Sequence, residues 1–182
     1  MKNSLIVFAL LLAALSNAQT CSTGCPKTQV LRFVSDTTHT VVGPALPNGG
    51  PAVLIDWWHG AWLKNYGVAK WISDEPKIMV TPSADTNRFF SKVIELPCAP
   101  SNAVAGITAD NAFWTFVNGV AVTTPGCFDA SERNFNVIRS CNLNGYFSAG
   151  SNLLQFRVRN FPGGNHYTQN PTGLLYTLNI TV

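Results

Sequence analysis

The chain has 182 residues, 46% of them apolar and 12% charged, with a formal net charge of +3. Disordered chains carry more charge and fewer apolar residues, so a folded domain is expected. Lysines and arginines are scattered singly, Arg157 and Arg159 being the closest pair, and this leaves no basic stripe for nucleic acid.

Lys2 gives a positive start, Leu5 to Leu15 an apolar run, and Ser16-Asn17-Ala18 the small residues that a signal peptidase reads. Residues 1–18 are therefore expected to be a cleaved signal peptide. The run is about eleven residues, short of the ~20 that cross a bilayer, and no later segment is apolar for long enough to form a span. Residues 19–182 are then a secreted, extracellular product of a size for one domain. In an oxidising compartment its five cysteines favour bridges over free thiols. Cys127 is expected to pair with Cys141, and Cys98 with Cys21 or Cys25. The cysteine left over is either buried or joins a second copy as a disulfide-linked homo-oligomer. Cys21 and Cys25 have no second Cys or His pair nearby, so no zinc site is expected.

Short alternating segments rich in Val, Ile, Phe and Thr recur along the mature chain, and no helical period runs through it. In chain order, strands are expected at Gln29 to Ser35, Val68 to Ser73, Arg88 to Leu96, Ala103 to Thr108, Phe113 to Val117, Val120 to Thr123, Asn134 to Ile138 and Leu153 to Asn160. A last strand follows Gly173. Between Leu153 and Asn160, Leu154, Phe156 and Val158 point one way and Gln155, Arg157 and Arg159 the other. In the last strand Leu174, Tyr176, Leu178 and Ile180 form the inward set, and Leu175, Thr177, Asn179 and Thr181 the outward set. Turn signals separate the strands at Pro47 to Pro51, Asn118-Gly119, Pro125-Gly126, Asn144-Gly145, Ala149 to Asn152 and Pro162 to Asn165. Turns every eight to twelve residues predict an all-β fold, a two-sheet antiparallel sandwich.

The order of motifs from Trp71 onward is informative. Ala69-Lys70-Trp71-Ile72-Ser73 is followed by Asn87-Arg88-Phe89-Phe90 and by a strand ending Glu95-Leu96-Pro97. Ile107-Thr108-Ala109-Asp110-Asn111 then leads through Phe116-Val117-Asn118-Gly119 to Phe147-Ser148-Ala149-Gly150-Ser151-Asn152-Leu153-Leu154 and Thr172-Gly173-Leu174-Leu175. This succession resembles the galactose-binding-like jelly rolls, the fold of many carbohydrate-binding modules, over roughly the last 110 residues. The resemblance implies a jelly-roll sandwich in which the Asp-Asn turn and the Asn-Gly hairpin are architectural. It also implies that a structural calcium near one end of the sandwich would draw on Asp74, Asp85 or Asp129. No acidic cluster of calcium-loop density exists, and no cofactor is expected.

Catalytic chemistry has little to work with. His39, His59 and His166 are the only histidines, none within a Gly-x-Ser-x-Gly or His-Glu-x-x-His motif, and the carboxylates are few and dispersed. Asp56-Trp57-Trp58-His59 is the nearest approach to a constellation, and it reads better as aromatics closing one end of the sandwich. No catalytic residue is expected. The expected function is lectin-like carbohydrate binding, because aromatic faces stack on sugar C–H groups while a few polar groups fix orientation. The candidate ligand residues are Trp57, Trp58, His59, Trp62 and Tyr66, with His166 and Tyr167; for the Trp57 to Tyr66 cluster, core or loop packing is the stronger of the two readings. Trp71 and Trp114 are expected in the core. Asn179 opens the only glycosylation sequon, Asn179-Ile180-Thr181, and faces outward. The competing expectation is a structural or matrix protein, joined into an extracellular assembly through its sandwich and the odd cysteine. The expected partner is an extracellular glycan or a cell-surface or matrix component.

Overall fold

The computed structural model describes residues 28–55, 60–64, 66–76, 86–131, 134–161 and 172–182. These hold strands β1 (Val30–Val34), β2 (Thr40–Gly43), β3 (Leu46–Pro51), β4 (Val53–Leu54), β5 (Ile72–Ser73), β6 (Thr86–Leu96) and β7 (Asn102–Asp110). They continue with β8 (Ala112–Val117), β9 (Val120–Ala121), β10 (Phe128–Asp129), β11 (Arg139–Asn142), β12 (Gly150–Asn160) and β13 (Gly173–Thr181). The first sheet has the order β11-β7-β13-β5-β4, with β1 also on β13. The second has the order β10-β8-β12-β6-β2-β3, with β9 on β8. Every pairing is antiparallel, and the two sheets form the expected sandwich.

Alternation in the long strands decides which face each sheet buries. In β12, Leu154, Phe156 and Val158 enter the core while Gln155, Arg157 and Arg159 stay half-buried on the other side, as expected. In β13, Leu174, Tyr176, Leu178 and Ile180 meet them from the opposite sheet. Phe90, Phe113, Phe156 and Tyr176 fill the middle, and burying each such side chain contributes about 1.5–3 kcal/mol. The ring centroids of Phe156 and Tyr176 lie 4.7 Å apart across the sandwich. One buried polar pair is satisfied here: the Tyr176 hydroxyl donates to His39 Nε2 at 2.7 Å, and His39 Nδ1 sits 2.9 Å from the Asp36 carbonyl. A carbonyl only accepts, so Nδ1 carries the proton and Nε2 is the acceptor.

The expected Cys127–Cys141 bridge is present, with Cα atoms 4.5 Å apart. Cys127 leads into β10 and Cys141 lies in β11, the edge strands of the two sheets, so the bridge staples the sandwich along one open side. Cys98 is also in a disulfide, whose other half lies outside the described residues, as do Cys21 and Cys25.

Three expectations about elements need correcting. Pro47 to Pro51 is strand rather than turn: β3 is the outer strand of its sheet, where a proline lacking an N–H costs no ladder bond on its free side. The segment expected as a strand at Asn134 to Ile138 is irregular, and the strand starts at Arg139. There the Asn134 carbonyl accepts from the Thr108 hydroxyl, the Phe135 carbonyl from the Leu63 N–H, and Val137 N–H turns back onto Asn134. Of Val68 to Ser73, only Ile72–Ser73 is strand, because Tyr66 and Ala69 close a tight turn ahead of it.

Candidate functional site

The outward faces of the two sheets differ. On the first sheet, Trp62, Trp71, Ile55 and Ala69 cover Leu175 and form a second hydrophobic cluster with Tyr66 and Phe135 at its margin. The rings of Trp62 and Trp71 stack with centroids 4.2 Å apart, and Trp71 Nε1–H donates to the Leu63 carbonyl at 2.8 Å. Trp62 is only 3% exposed, and its Nε1–H donates to Asp110 Oδ2 at 2.8 Å. Tyr66 lays its hydroxyl on Gly106, where a Cβ would collide with it. Trp62 and Tyr66, two of the expected ligand residues, thus sit in packing over this sheet. Trp71 is buried as expected, but in this outer cluster rather than between the sheets.

Asp110 ends β7 beneath Trp62. Burial pushes its carboxyl up to about 7, against the lowering effect of the Trp62 hydrogen bond, and Oδ1 has no hydrogen-bond partner among the described residues. The adjoining Asn111 Oδ1 accepts from Phe161 N–H at 2.8 Å, and the Asp110 carbonyl accepts from the Thr172 hydroxyl at 2.8 Å. These bonds tie the Asp-Asn turn to Phe161 and Thr172. Trp57, Trp58, His59, His166 and Tyr167 lie outside the described residues, as does Asp85.

Among the described residues, no such hydrophobic cluster covers the outward face of the second sheet. Register aligns one row across five strands: Phe128 in β10 opposite Trp114 in β8, Trp114 opposite Arg157 in β12, Arg157 opposite Phe89 in β6, and Phe89 opposite Val42 in β2. Neighbouring members are separated by the interstrand spacing of ~4.8 Å. Phe89 is 47% and Phe128 44% exposed, values uncommon for phenylalanine. Trp114, expected in the core, is half-buried on this face instead. The Arg157 guanidinium carbon lies 4.2 Å from the Trp114 ring centroid, and Arg157 Nε–H donates to Asn87 Oδ1 at 3.0 Å. The next row places Phe116 opposite Gln155 and Gln155 opposite Ser91, with Gln155 Nε2–H donating to the Ser91 hydroxyl at 3.3 Å. Aromatic rings, amides, a hydroxyl and a fixed cation share one sheet face.

The described carboxylates are mostly neutralised. Asp74 pairs with Arg88 and accepts from the Ala45 N–H, Asp129 pairs with Arg139 at 2.7 Å, and Asp36 pairs with Lys92 at 3.1 Å. Among the described residues no three His, Cys, Asp or Glu side chains gather as metal ligands. Asp74 and Asp129, two of the residues named for a calcium, each turn one oxygen to an arginine and the other to a backbone N–H, of Ala45 and Ser131 respectively. Asn179 is exposed on the outward face of β13. No helix among the described residues is long and apolar enough to cross a membrane.

No protein-family model matches the chain, and no curated protein matches it. Among solved structures it is similar to a family 35 carbohydrate-binding module from Clostridium thermocellum, at 10% identity and a TM-score of 0.45, over 81% of this chain and 97% of that one. It is similar to CBM35 from Paenibacillus barcinonensis at 13% identity and a TM-score of 0.46, over 84% and 98% of the two chains. A β-glucuronidase of Faecalibacterium prausnitzii is similar at 10% identity and a TM-score of 0.47, over 83% of this chain but 31% of the enzyme. What this chain binds has to be read from its own residues.

Proposed function

We propose that this protein is a secreted, non-catalytic carbohydrate-binding domain whose contact surface is the outward face of the second sheet. The observation that carries the reading is the row Phe128, Trp114, Arg157, Phe89 and Val42, which leaves two phenylalanine rings open to solvent on one sheet face. Exposed rings on a rigid strand scaffold offer large contact area at low entropic cost, and the flanking Gln155 and Ser91 supply orienting hydrogen bonds. The absence of catalysis is supported by the pairing of Asp36, Asp74 and Asp129 with cations and by the burial of Asp110, which leave these carboxylates poorly placed as an acid–base pair. Secretion is supported by the disulfide at the sandwich edge, since such bonds persist in oxidising compartments.

Residues 19–182, produced with disulfides intact, should be retained by at least one polysaccharide in affinity gel electrophoresis. Phe89→Ala should weaken that retention roughly tenfold, on the order of 1.4 kcal/mol. Retention by no polysaccharide, or retention that Phe89→Ala and Phe128→Ala both leave unchanged, would remove this surface as a glycan site.

A further inference from the structure

The carbohydrate reading leaves the class of sugar open, and Arg157 narrows it. Its guanidinium is held in two independent ways, with its carbon over the Trp114 ring and by Nε–H to Asn87 Oδ1. Both restraints act on the inner part of the group. Nη1 and Nη2 have no hydrogen-bond partner among the described residues, and they form a planar fork between the open rings of Phe89 and Phe128. An arginine whose fork is already oriented loses little entropy on accepting a planar oxyanion, and two parallel charge-assisted hydrogen bonds add geometric selectivity.

The surrounding charge points the same way. Arg159 lies two positions along the same strand face, with its guanidinium carbon 4.7 Å from the Phe161 ring centroid. The carboxylate on this face among the described residues is Glu95, six residues along β6 from Phe89 and hence about 20 Å away at the rise of an extended strand. A face meant for a neutral polymer has no need of an arginine in the middle of its aromatic row. Solvating the cation there without an anion also wastes apolar contact. Nucleic acid does not fit, because one fork and one further cation make no phosphate-tracking stripe.

The geometry points to a polysaccharide bearing oxyanions, carboxylate or sulfate, lying across the strands with an acidic group seated on the Arg157 fork and sugar faces on Phe89 and Phe128. This rests on the carbohydrate-binding reading and adds the charge class of the ligand. The test uses residues 19–182 and three polymers: polygalacturonate, its carboxyl-reduced neutral counterpart, and dextran sulfate. The measurements are affinity electrophoresis and calorimetry at low and moderate salt. Binding is expected to polygalacturonate or to dextran sulfate, and whichever is bound identifies the anion; the carboxyl-reduced polymer should bind at least tenfold more weakly than polygalacturonate.

Arg157→Lys keeps the charge and loses the fork, so it should lose about tenfold in affinity, whereas a diffuse charge effect would spare it. Arg32→Gln, on the other sheet, controls for net charge and should change little. Unchanged thermal unfolding of the Arg157→Lys protein separates loss of the fork from loss of the fold. Equal binding to the neutral and acidic polymers, or acidic binding that Arg157→Lys leaves intact, overturns this inference while the carbohydrate reading stands. Failure to bind these polymers or any neutral polysaccharide overturns both.

Discussion

Asp110 lends itself to a quantitative test because its two protonation states fit the fold so differently. Burial raises its folded-state pKa from the ordinary 3.8 to about 7, so between those values the unfolded chain releases a proton that the folded chain keeps. The folded state binds more protons in that window, and stability contributed by this group therefore falls as pH rises from about 4 to about 7, then levels off. The span of roughly three pH units corresponds to about 4 kcal/mol as an upper figure. Asp110→Asn cannot ionise and retains an oxygen to accept from Trp62 Nε1–H at the present 2.8 Å. Its amide must sit where Oδ1 has no partner among the described residues, which costs about 1–3 kcal/mol. The protonated acid has one orphan hydrogen in the same place, so most of that cost is shared. The variant should therefore be near neutral at pH 4.5 and more stable than the parent at pH 8 by about 1–3 kcal/mol. Urea unfolding at pH 4.5, 6 and 8, analysed as the difference between parent and variant, isolates this carboxyl from every other titrating group. A difference that does not change with pH, or a variant destabilised equally at all three values, would refute the reasoning.

His39 should produce the opposite slope. Burial, and next the charge of Lys92, lower its pKa despite the contacts with Asp36, so the folded state resists protonation and stability should fall as pH drops below about 6.5. Tyr176→Phe strands His39 Nε2 without its 2.7 Å donor and should cost about 1–3 kcal/mol in urea unfolding at pH 8. Replacing Cys127 and Cys141 together by serine releases a loop of 14-residue separation and should lower stability by about 3 kcal/mol, visible as a reduced thermal midpoint under non-reducing conditions.

The sandwich itself was legible wherever a strand had one wet face. In β12 and β13 the apolar and polar residues alternate cleanly, and a period of two admits only one burial pattern, so Phe156, Val158, Tyr176 and Leu178 were placed correctly from the residues alone. The Cys127–Cys141 bridge was legible too, since the two cysteines flank one excursion between strands. The surface that carries the functional reading was hidden by the same rule. In β8, Phe113 and Val117 sit on one parity and Trp114 and Phe116 on the other, so alternation cannot say which set is inside. In β6, Arg88 is buried by its pairing with Asp74 while Phe89 faces solvent, an inversion of hydropathy that depends on a carboxylate 14 residues away in sequence.

By itself the sequence determined the all-β class, the inward faces of the long strands and one disulfide, because these follow from local periodicity and short separations along the chain. The tertiary structure alone decided that Trp62 and Trp71 roof the first sheet, and that Phe128, Trp114, Arg157 and Phe89 form one row on the second. That row is drawn from strands two to six places apart in the chain yet adjacent in the sheet. Which residues become neighbours across an antiparallel sheet is fixed by strand order and register, and neither is encoded in the spacing of residues along a single strand.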